Sequence, residues 1–278
     1  MPESDVNRLN RCTWRLGRIG LAAVLSLLVS GLLQAQSTSI SYTGLTYSQN
    51  FDTLPNSGTF GPFSGSGPFD VPTTSGSLTG WAFQRLSGNT TNAAFLVGDG
   101  SINNQSVYSY GTTGSTDRAL GSLAGSQLVS SFGALLVNNS GSTITFITLT
   151  FTGEQWRQGV NPNTLSFQYS VGATSISTGT FTSFSALNFT GPKTGAPGAL
   201  DGNLAANQTV VTAIITGLNW TAGSNFVIRW DDANETGANA GLAIDNLSFS
   251  IPEPATVAAG IIGLGLVGVV MRRRFAQG

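Results

Sequence analysis

Short runs of alternating apolar and polar residues dominate the middle of this chain. In residues 165–171 every second side chain is apolar or aromatic, so one face of a strand would be buried and the other solvated. Comparable runs occur at 42–51, 81–83, 94–97, 132–137, 143–152, 181–189, 210–215, 226–230 and 242–251. This pattern predicts an all-β fold, a jelly-roll-like β-sandwich. A β-solenoid is the alternative, although no repeat of fixed period is visible.

The alternation changes phase in two of these runs. In residues 143–152 it flips between Phe146 and Ile147, and in residues 242–251 between Ile244 and Leu247. A phase change in a half-buried strand predicts a bulge or a strand that turns a corner of the sandwich. The proline- and glycine-rich segment 52–80 predicts a long surface excursion or a flexible insert.

The two ends have a different character from the middle. Residues 1–35 combine four arginines, an apolar run over 19–33 and a final Gln34-Ala35, which predicts a secretory signal peptide; an uncleaved anchor is the alternative. Near the other end, the uncharged run 255–271 would rise about 26 Å as a helix, slightly short of a ~30 Å hydrocarbon core. We therefore expect an N-terminal signal helix and a single C-terminal transmembrane helix.

The C-terminal segment 252–278 has three parts in a fixed order. Pro252, Glu253 and Pro254 come first, the uncharged run follows, and a cationic cluster completes it, comprising Arg272, Arg273 and Arg274. The positive-inside rule keeps the arginines in the cytoplasm and everything before Pro252 outside. This order resembles the PEP-CTERM sorting tail of exported bacterial proteins; a plain anchor after a proline-rich hinge is the alternative. The resemblance implies cleavage by an exosortase and a transient inner-membrane anchor, followed by release to the cell surface or beyond.

Charge and composition narrow the function classes for residues 36–251. This region has ten acidic and five basic residues, and an excess of negative charge disfavours a nucleic-acid partner. The chain has no histidine, and its one cysteine, Cys12, lies in the predicted signal peptide. Histidine- and cysteine-dependent catalysis and the usual zinc sites are thereby excluded. Paired-carboxylate chemistry of the glycosidase type remains, with Glu154 and Asp245 as candidates.

One candidate ligand-binding cluster follows the run at 143–152. In this cluster the aromatic ring of Trp156 lies in the sequence between the negative charge of Glu154 and the positive charge of Arg157. Sugar-binding surfaces combine an aromatic ring with charged groups in this way. The alternative is a structural cross-strand network in which Glu154 pairs with Arg229.

A second candidate cluster lies near the end of the middle region. The stretch Gly241-Leu242-Ala243-Ile244-Asp245-Asn246 resembles the closing strand of extracellular jelly-roll modules, including MAM-like and carbohydrate-binding ones. That resemblance implies a calcium ion held by Asp245 near the first strand, with Asp52 as its partner if the terminal strands pair and Asp231 one loop away. The alternative is that Asp245 bonds to backbone amides at a strand bend and the acidic run 231–235 is a solvated loop.

These observations favour an exported, non-enzymatic surface or extracellular-matrix protein. Its domains would be 1–35 (signal peptide), 36–251 (β-sandwich) and 252–278 (sorting tail), and its partners the Sec translocon, an exosortase and extracellular polysaccharide. The association of such tails with exopolysaccharide and biofilm comes from the family resemblance alone. A calcium-stabilised carbohydrate-binding module, a glycoside hydrolase and a purely structural, self-assembling protein are the alternatives.

Overall fold

The computed structural model describes residues 36, 38–88 and 93–251, and these form an all-β structure. The predicted signal peptide and C-terminal transmembrane helix lie outside the described residues. Within the described ranges, helical structure is limited to two 3-10 turns, Ser185–Leu187 and Ala205–Asn207. Neither these turns nor any other helix in that part of the chain has the length and apolarity needed to cross a membrane.

Seventeen strands make up the described part of the chain, and most are short. In chain order they are β1 (Ile40–Tyr42), β2 (Tyr47–Gln49), β3 (Thr59–Phe63), β4 (Phe69–Thr73), β5 (Gly76–Gly88), β6 (Ala93–Gly98), β7 (Ser106–Tyr110), β8 (Ala119–Leu123), β9 (Leu128–Asn138), β10 (Ile144–Gln158), β11 (Thr164–Val171), β12 (Thr182–Ser183), β13 (Phe189–Thr190), β14 (Gly198–Ala199), β15 (Gln208–Trp220), β16 (Asn225–Asp232) and β17 (Gly241–Ser250).

The strands form two sheets. The first has the order β12-β11-β16-β9-β5-β4, with β1 paired to β9 and β13 paired to β11. The second has the order β14-β10-β17-β8-β7-β6-β3, with β15 paired to β10 and β2 paired to β17. Pairing is antiparallel except between β1 and β9 and between β6 and β7. The long strand β10 therefore lies between β17 on one side and β15 on the other.

Aromatic side chains from both sheets meet in the core. Alternation along β16 points Phe226, Ile228 and Trp230 inward, and all three are buried. The indole of Trp230, in the first sheet, packs edge-on against Phe151 of the second sheet with ring centroids 5.2 Å apart. Such contacts between facing sheets define a β-sandwich, so the all-β sandwich in the fold prediction is confirmed.

Both phase changes seen in the sequence correspond to irregular pairing. The register between β10 and β15 shifts between Ile144 and Phe146. The register between β10 and β17 shifts between Thr150 and Thr152, opposite the segment of β17 that contains Asn246. Asn246 has a φ of 48°, in the left-handed region that asparagine tolerates better than most residues. A bulge in β17 is the reason that Ile244 and Leu247 are both buried.

Two sequence predictions about the first part of the sandwich were wrong. The segment 52–80 is not a simple surface excursion, because it contains β3, β4 and the start of β5. Pro62 and Pro72, the prolines within these strands, fit because β3 and β4 lie at sheet edges, where a missing amide donor is tolerated. The run 42–51 is not one strand: β1 ends at its first residue, Tyr42, β2 covers Tyr47–Gln49, and the two strands pair with different sheets.

Candidate functional site

A small second core lies on the face of the second sheet that points away from the first. It joins side chains of β7, β8, β10 and β17, namely Tyr108, Tyr110, Ala119, Leu123, Trp156 and Ala243. The rings of Tyr110 and Trp156 are stacked with centroids 6.1 Å apart. The loop after β14 covers the indole so closely that a Cβ on Gly202 would lie 2.4 Å from it.

Trp156 is consequently only 1% exposed. Its ring has no free face on which a sugar could stack, so the prediction that Trp156 binds a ligand directly was wrong. The physical reason is that a loop much further along the chain, around Gly202, supplies the cover. Trp156 acts instead as the packing centre of this second core.

Glu154 lies beside Trp156 and is 2% exposed. Its Oε2 accepts a hydrogen bond from Nε1 of Trp156 at 2.9 Å, and its Oε1 accepts one from Nε2 of Gln208 at 3.3 Å. Burial raises the pKa of Glu154 to about 8, and the carboxylate of Asp245 adds to this effect. The predicted pair between Glu154 and Arg229 was wrong, because Arg229 lies in the first sheet and its Nε is 3.2 Å from Oδ1 of Asp231.

Asp245 is a second buried carboxylate on the same sheet, 3% exposed. Its Oδ2 accepts a hydrogen bond from Nδ2 of Asn246 at 2.8 Å, whereas its Oδ1 has no hydrogen-bonding partner within the described residues. Burial raises the pKa of Asp245 to about 7, and the nearby carboxylates of Asp117 and Asp52 contribute. Glu154 and Asp245, the pair proposed for a glycosidase, are thus both closed to a saccharide in this conformation.

The terminal strands do pair, as the calcium prediction required. Leu247 of β17 lies opposite Gln49 of β2, which brings the turn containing Asp52 next to Asp245. Oδ1 of Asp52 accepts a long hydrogen bond of 3.4 Å from the backbone amide of Arg118. The carboxylates of Asp52 and Asp117 are thus close enough to Asp245 to raise its pKa, and Asp117 also interacts with the guanidinium of Arg118.

Asp231 does not belong to this group. Because Trp230 faces the core, the next side chain along β16 points to the opposite face of the first sheet, where Asp231 contacts Arg229 and Gln168. Nowhere in the described part of the chain do three or more His, Cys, Asp or Glu side chains cluster as metal ligands do. Asp231 therefore does not lie with Asp52 and Asp245, the other two residues predicted to hold calcium.

The acidic run 231–235 is also not a simple solvated loop. Asp231 and Asp232 end strand β16, and Asp232 is buried, with Oδ2 accepting a 2.6 Å hydrogen bond from the hydroxyl of Ser122. Burial raises the pKa of Asp232 to about 7. Only the residues that follow it are exposed, and they form one wall of a cleft.

This end cleft has a volume of about 500 Å³ and opens at the ends of β8 and β10. Its polar lining combines amide, carboxylate and guanidinium groups, from Asn103, Gln105, Arg157, Asn234, Glu235 and Asn239. Arg157 is held in place because its Nη1 donates to the carbonyl oxygen of Gly100 at 2.9 Å. Among the three predicted ligand-binding residues, only Arg157 reaches this cleft.

The other lining residues were missed by sequence reasoning. They come from loops far apart in the chain, and isolated asparagines and glutamines in a chain rich in them carry no pattern. The structure shows that Asn239 is an organising residue, since its Oδ1 accepts hydrogen bonds from Nδ2 of Asn163 and the backbone amide of Glu235. The cleft wall is thereby tied to the β10–β11 connection.

Comparison with known proteins identifies the tail. Residues 250–274 match the PEP-CTERM protein-sorting motif, which confirms the resemblance seen in the sequence. The match covers the three predicted parts of the tail, Pro252 to Pro254, the uncharged run and the arginines. The motif begins at the last residue of β17, so the described sandwich precedes it almost entirely.

No curated protein matches the chain. Among solved structures, the sandwich is similar to the CBM22-1 xylan-binding domain from Paenibacillus barcinonensis, at 9% identity over 73% of this chain and 92% of that one, with a TM-score of 0.33. It is also similar to a family 11 carbohydrate-binding module from Clostridium thermocellum, at 11% identity over 63% and 90% of the two chains, with a TM-score of 0.31. A cleaved adhesin domain of Lys-gingipain matches at 13% identity over 74% and 98%, with a TM-score of 0.33.

Proposed function

We propose that the chain is an exported, non-enzymatic protein of the bacterial surface or extracellular matrix, delivered through its PEP-CTERM tail. The observation that carries this proposal is the match of the sorting motif to residues 250–274, directly after the last strand. Cleavage near Pro252 would release the sandwich without removing any of its strands. The Sec translocon would export the chain through its signal peptide, residues 1–35, which would then be removed, and an exosortase would process the tail.

The sorting proposal is tested by replacing Pro252, Glu253 and Pro254 with alanine in the full chain, in a host that has an exosortase. We expect the unaltered chain to reach the surface or medium in a shortened form, and the variant to stay at full length in the inner membrane. Ser248→Ala, on an outward-facing position of β17, is the matched control and should be processed normally. Equal processing of all three chains would show that the tripeptide does not direct sorting.

The second part of the proposal is that the sandwich associates with extracellular polysaccharide through the end cleft. A saccharide presents many hydroxyl groups that both donate and accept hydrogen bonds, and the amides, Glu235 and Arg157 offer complementary groups. The volume of about 500 Å³ is in the usual range for ligand sites. Association with the host's own matrix and biofilm is the biological setting that we infer for this binding.

Binding of the detergent-solubilised full chain to the host's extracellular polysaccharide tests this part. We expect saturable binding that is lost when Glu235→Gln and Asn103→Ala are combined, because both change the lining and neither supports the core. Asp201→Asn, an exposed acidic position outside the cleft, is the control for a change of charge. Unaltered binding by the cleft variant would show that the polysaccharide binds at another site. If none of the chains bound polysaccharide, the protein would have a structural role without this ligand.

Calcium stabilisation is a further proposal, supported by the unpartnered Oδ1 of buried Asp245. Calcium prefers oxygen ligands, and Asp245 and Asp52 supply carboxylate oxygens at the junction of β2 and β17, with Asp117 close enough to raise the pKa of Asp245. The ion would compensate their negative charge and hold β2 against β17.

We expect added calcium to raise the melting temperature of the full chain at pH 8 and a chelator to reverse the rise. Asp245→Asn should abolish the response, and a melting temperature indifferent to both reagents would refute calcium binding.

A further inference from the structure

Strand β15 (Gln208–Trp220) forms a long exposed edge of the second sheet. It pairs with β10 over Ile144 to Glu154, and within the described residues no strand pairs with its other side. From Gln208 to Thr216, its backbone amides and carbonyls that point away from β10 likewise have no backbone hydrogen-bonding partner in that part of the chain, and the carbonyl of Trp220 at its end accepts a hydrogen bond from Nδ2 of Asn138. A row of such unpaired groups is a template for another strand.

The other sheet edges are protected against such pairing. Edge strand β3 contains Pro62, and β4 contains Asp70 and Pro72. The remaining strands that pair on one side only, β1, β2, β12, β13 and β14, are two or three residues long. Proline, charge and short length are the usual devices that keep sheet edges apart. Strand β15 has none of them, since its 13 residues include no proline and no charged side chain.

The outward face of β15 is also unusually apolar. Val210 is 69% exposed and Ile214 is 46% exposed, on either side of exposed Thr212. The alternate residues Val211, Ala213 and Ile215 pack on the main core, which fixes the orientation of the strand. Gly217, with a φ of 71°, ends the regular part, so Gln208 to Thr216 forms the pairing segment.

We propose that β15 pairs antiparallel with β15 of a second copy of this chain, about a two-fold axis at Thr212. In this register Val210 of each copy lies opposite Ile214 of the other, so both exposed apolar residues gain a cross-strand partner. A second copy fits better than an unrelated strand because the segment is self-complementary in this register and carries no charge that would repel its copy. Because the other edges are protected, assembly stops at a dimer.

Cysteine cross-linking of the full-length chain tests the register. Thr212→Cys, in a Cys12→Ser background, should give a disulfide-linked dimer on mild oxidation, since residues directly opposite have Cβ atoms about 5 Å apart. Thr216→Cys, on the same face of the same strand, would lie roughly 26 Å from its copy and should stay monomeric. Thr148→Cys, one strand further in and opposite Ile214, would be about 20 Å from its copy and should also stay monomeric. Equal cross-linking at the three positions, or none at residue 212, would overturn the proposal.

Charge exchange provides an independent measurement, made by sedimentation of the detergent-solubilised full chain. Val210→Lys with Ile214→Lys sets lysine against lysine in both cross-strand pairs and should weaken dimerisation at least about tenfold. Val210→Lys with Ile214→Glu sets opposite charges together in this register alone and should restore the dimer. Both variants change exposed side chains, so their melting temperatures should agree at concentrations low enough for both to be monomeric. Dimers in the lysine pair, or monomers in both variants and the unaltered chain, would overturn the proposal.

Discussion

Glu154→Gln is expected to make the stability of the sandwich less dependent on pH. The neutral amide keeps both contacts of the carboxylate: its oxygen accepts from Nε1 of Trp156, and its NH2 group can donate to the side-chain oxygen of Gln208 after that amide turns over. The substitution therefore removes the ionisation of residue 154 while leaving its packing unchanged. Any effect on stability above neutral pH then reports on the buried charge.

The sign follows from the direction in which the pKa moves. Burial raises the pKa of Glu154 from 4.5 to about 8, so the folded chain keeps a proton that the unfolded chain releases between these values. Stability from this group is therefore complete below about pH 4.5 and is lost as the pH rises through 8. A pKa difference of one between the folded and unfolded chains corresponds to about 1.4 kcal/mol, so the full loss is on the order of 5 kcal/mol. Asp232 and Asp245, with pKa values raised to about 7, add losses of the same sign.

Thermal unfolding of the full chain followed by tryptophan fluorescence, at pH 4 and pH 9 and without calcium, measures this difference. We expect equal melting temperatures at pH 4, and at pH 9 a melting temperature roughly 10–20 °C higher for Glu154→Gln, given about 2–4 °C per kcal/mol at this size. Glu235→Gln also removes one negative charge, but from an exposed position, so its melting temperature should equal that of the unaltered chain at both pH values. If Glu154→Gln and the unaltered chain lose stability in parallel between the two pH values, Glu154 is ionised in the folded state at little cost and its pKa is not raised by burial.

Three further substitutions test other parts of the structure. Trp156→Ala should lower the free energy of unfolding by about 3–5 kcal/mol in urea titrations, because it empties the second core; a loss below about 1 kcal/mol would contradict that role. Gly133→Ala should lower the free energy of unfolding by more than about 2 kcal/mol, since its Cβ would lie 2.1 Å from the carbonyl oxygen of Ile228 on the neighbouring strand. Gly141→Ala is the control: its φ is 79°, but there is open space around it, so the loss of stability should be smaller. Asp245→Asn should raise the melting temperature at pH 9 without calcium, for the same reason as Glu154→Gln, and a decrease would show that the ionised carboxylate is stabilised by a partner.

The fold was largely predictable because alternation is a local property. The alternation in residues 226–230 predicts that Phe226, Ile228 and Trp230 face the core. The phase change between Ile244 and Leu247 likewise predicts the bulge at Asn246. The same rule, applied one residue further, would have placed Asp231 on the outer face and removed it from the calcium group. The direction of a side chain along a strand therefore decides which carboxylates can share an ion, whatever their residue type.

The site was less predictable because it depends on contacts distant in sequence. Nothing around Trp156 indicates that Gly202 covers its indole, and so the most suggestive aromatic residue turned out to be buried. The end cleft brings together Asn103, Arg157 and Glu235 from separate loops, and such loops are placed by the sheets they connect. A pattern search within one segment does not detect a site of this kind.

Strand β10 connects the end cleft with the edge strand β15. Its residues from Ile144 to Glu154 pair with β15, and Arg157, three residues further, lines the end cleft. A dimer formed through β15 would therefore carry two clefts at a fixed separation, and a repeating polysaccharide could occupy both at once. Bivalent attachment raises apparent affinity without any new contact. The lysine pair at residues 210 and 214 should then weaken binding to long polysaccharide by about tenfold or more, while binding to a short oligosaccharide, which fills one cleft, should be unchanged. Equal loss for both ligands would place the edge strand in the binding site itself.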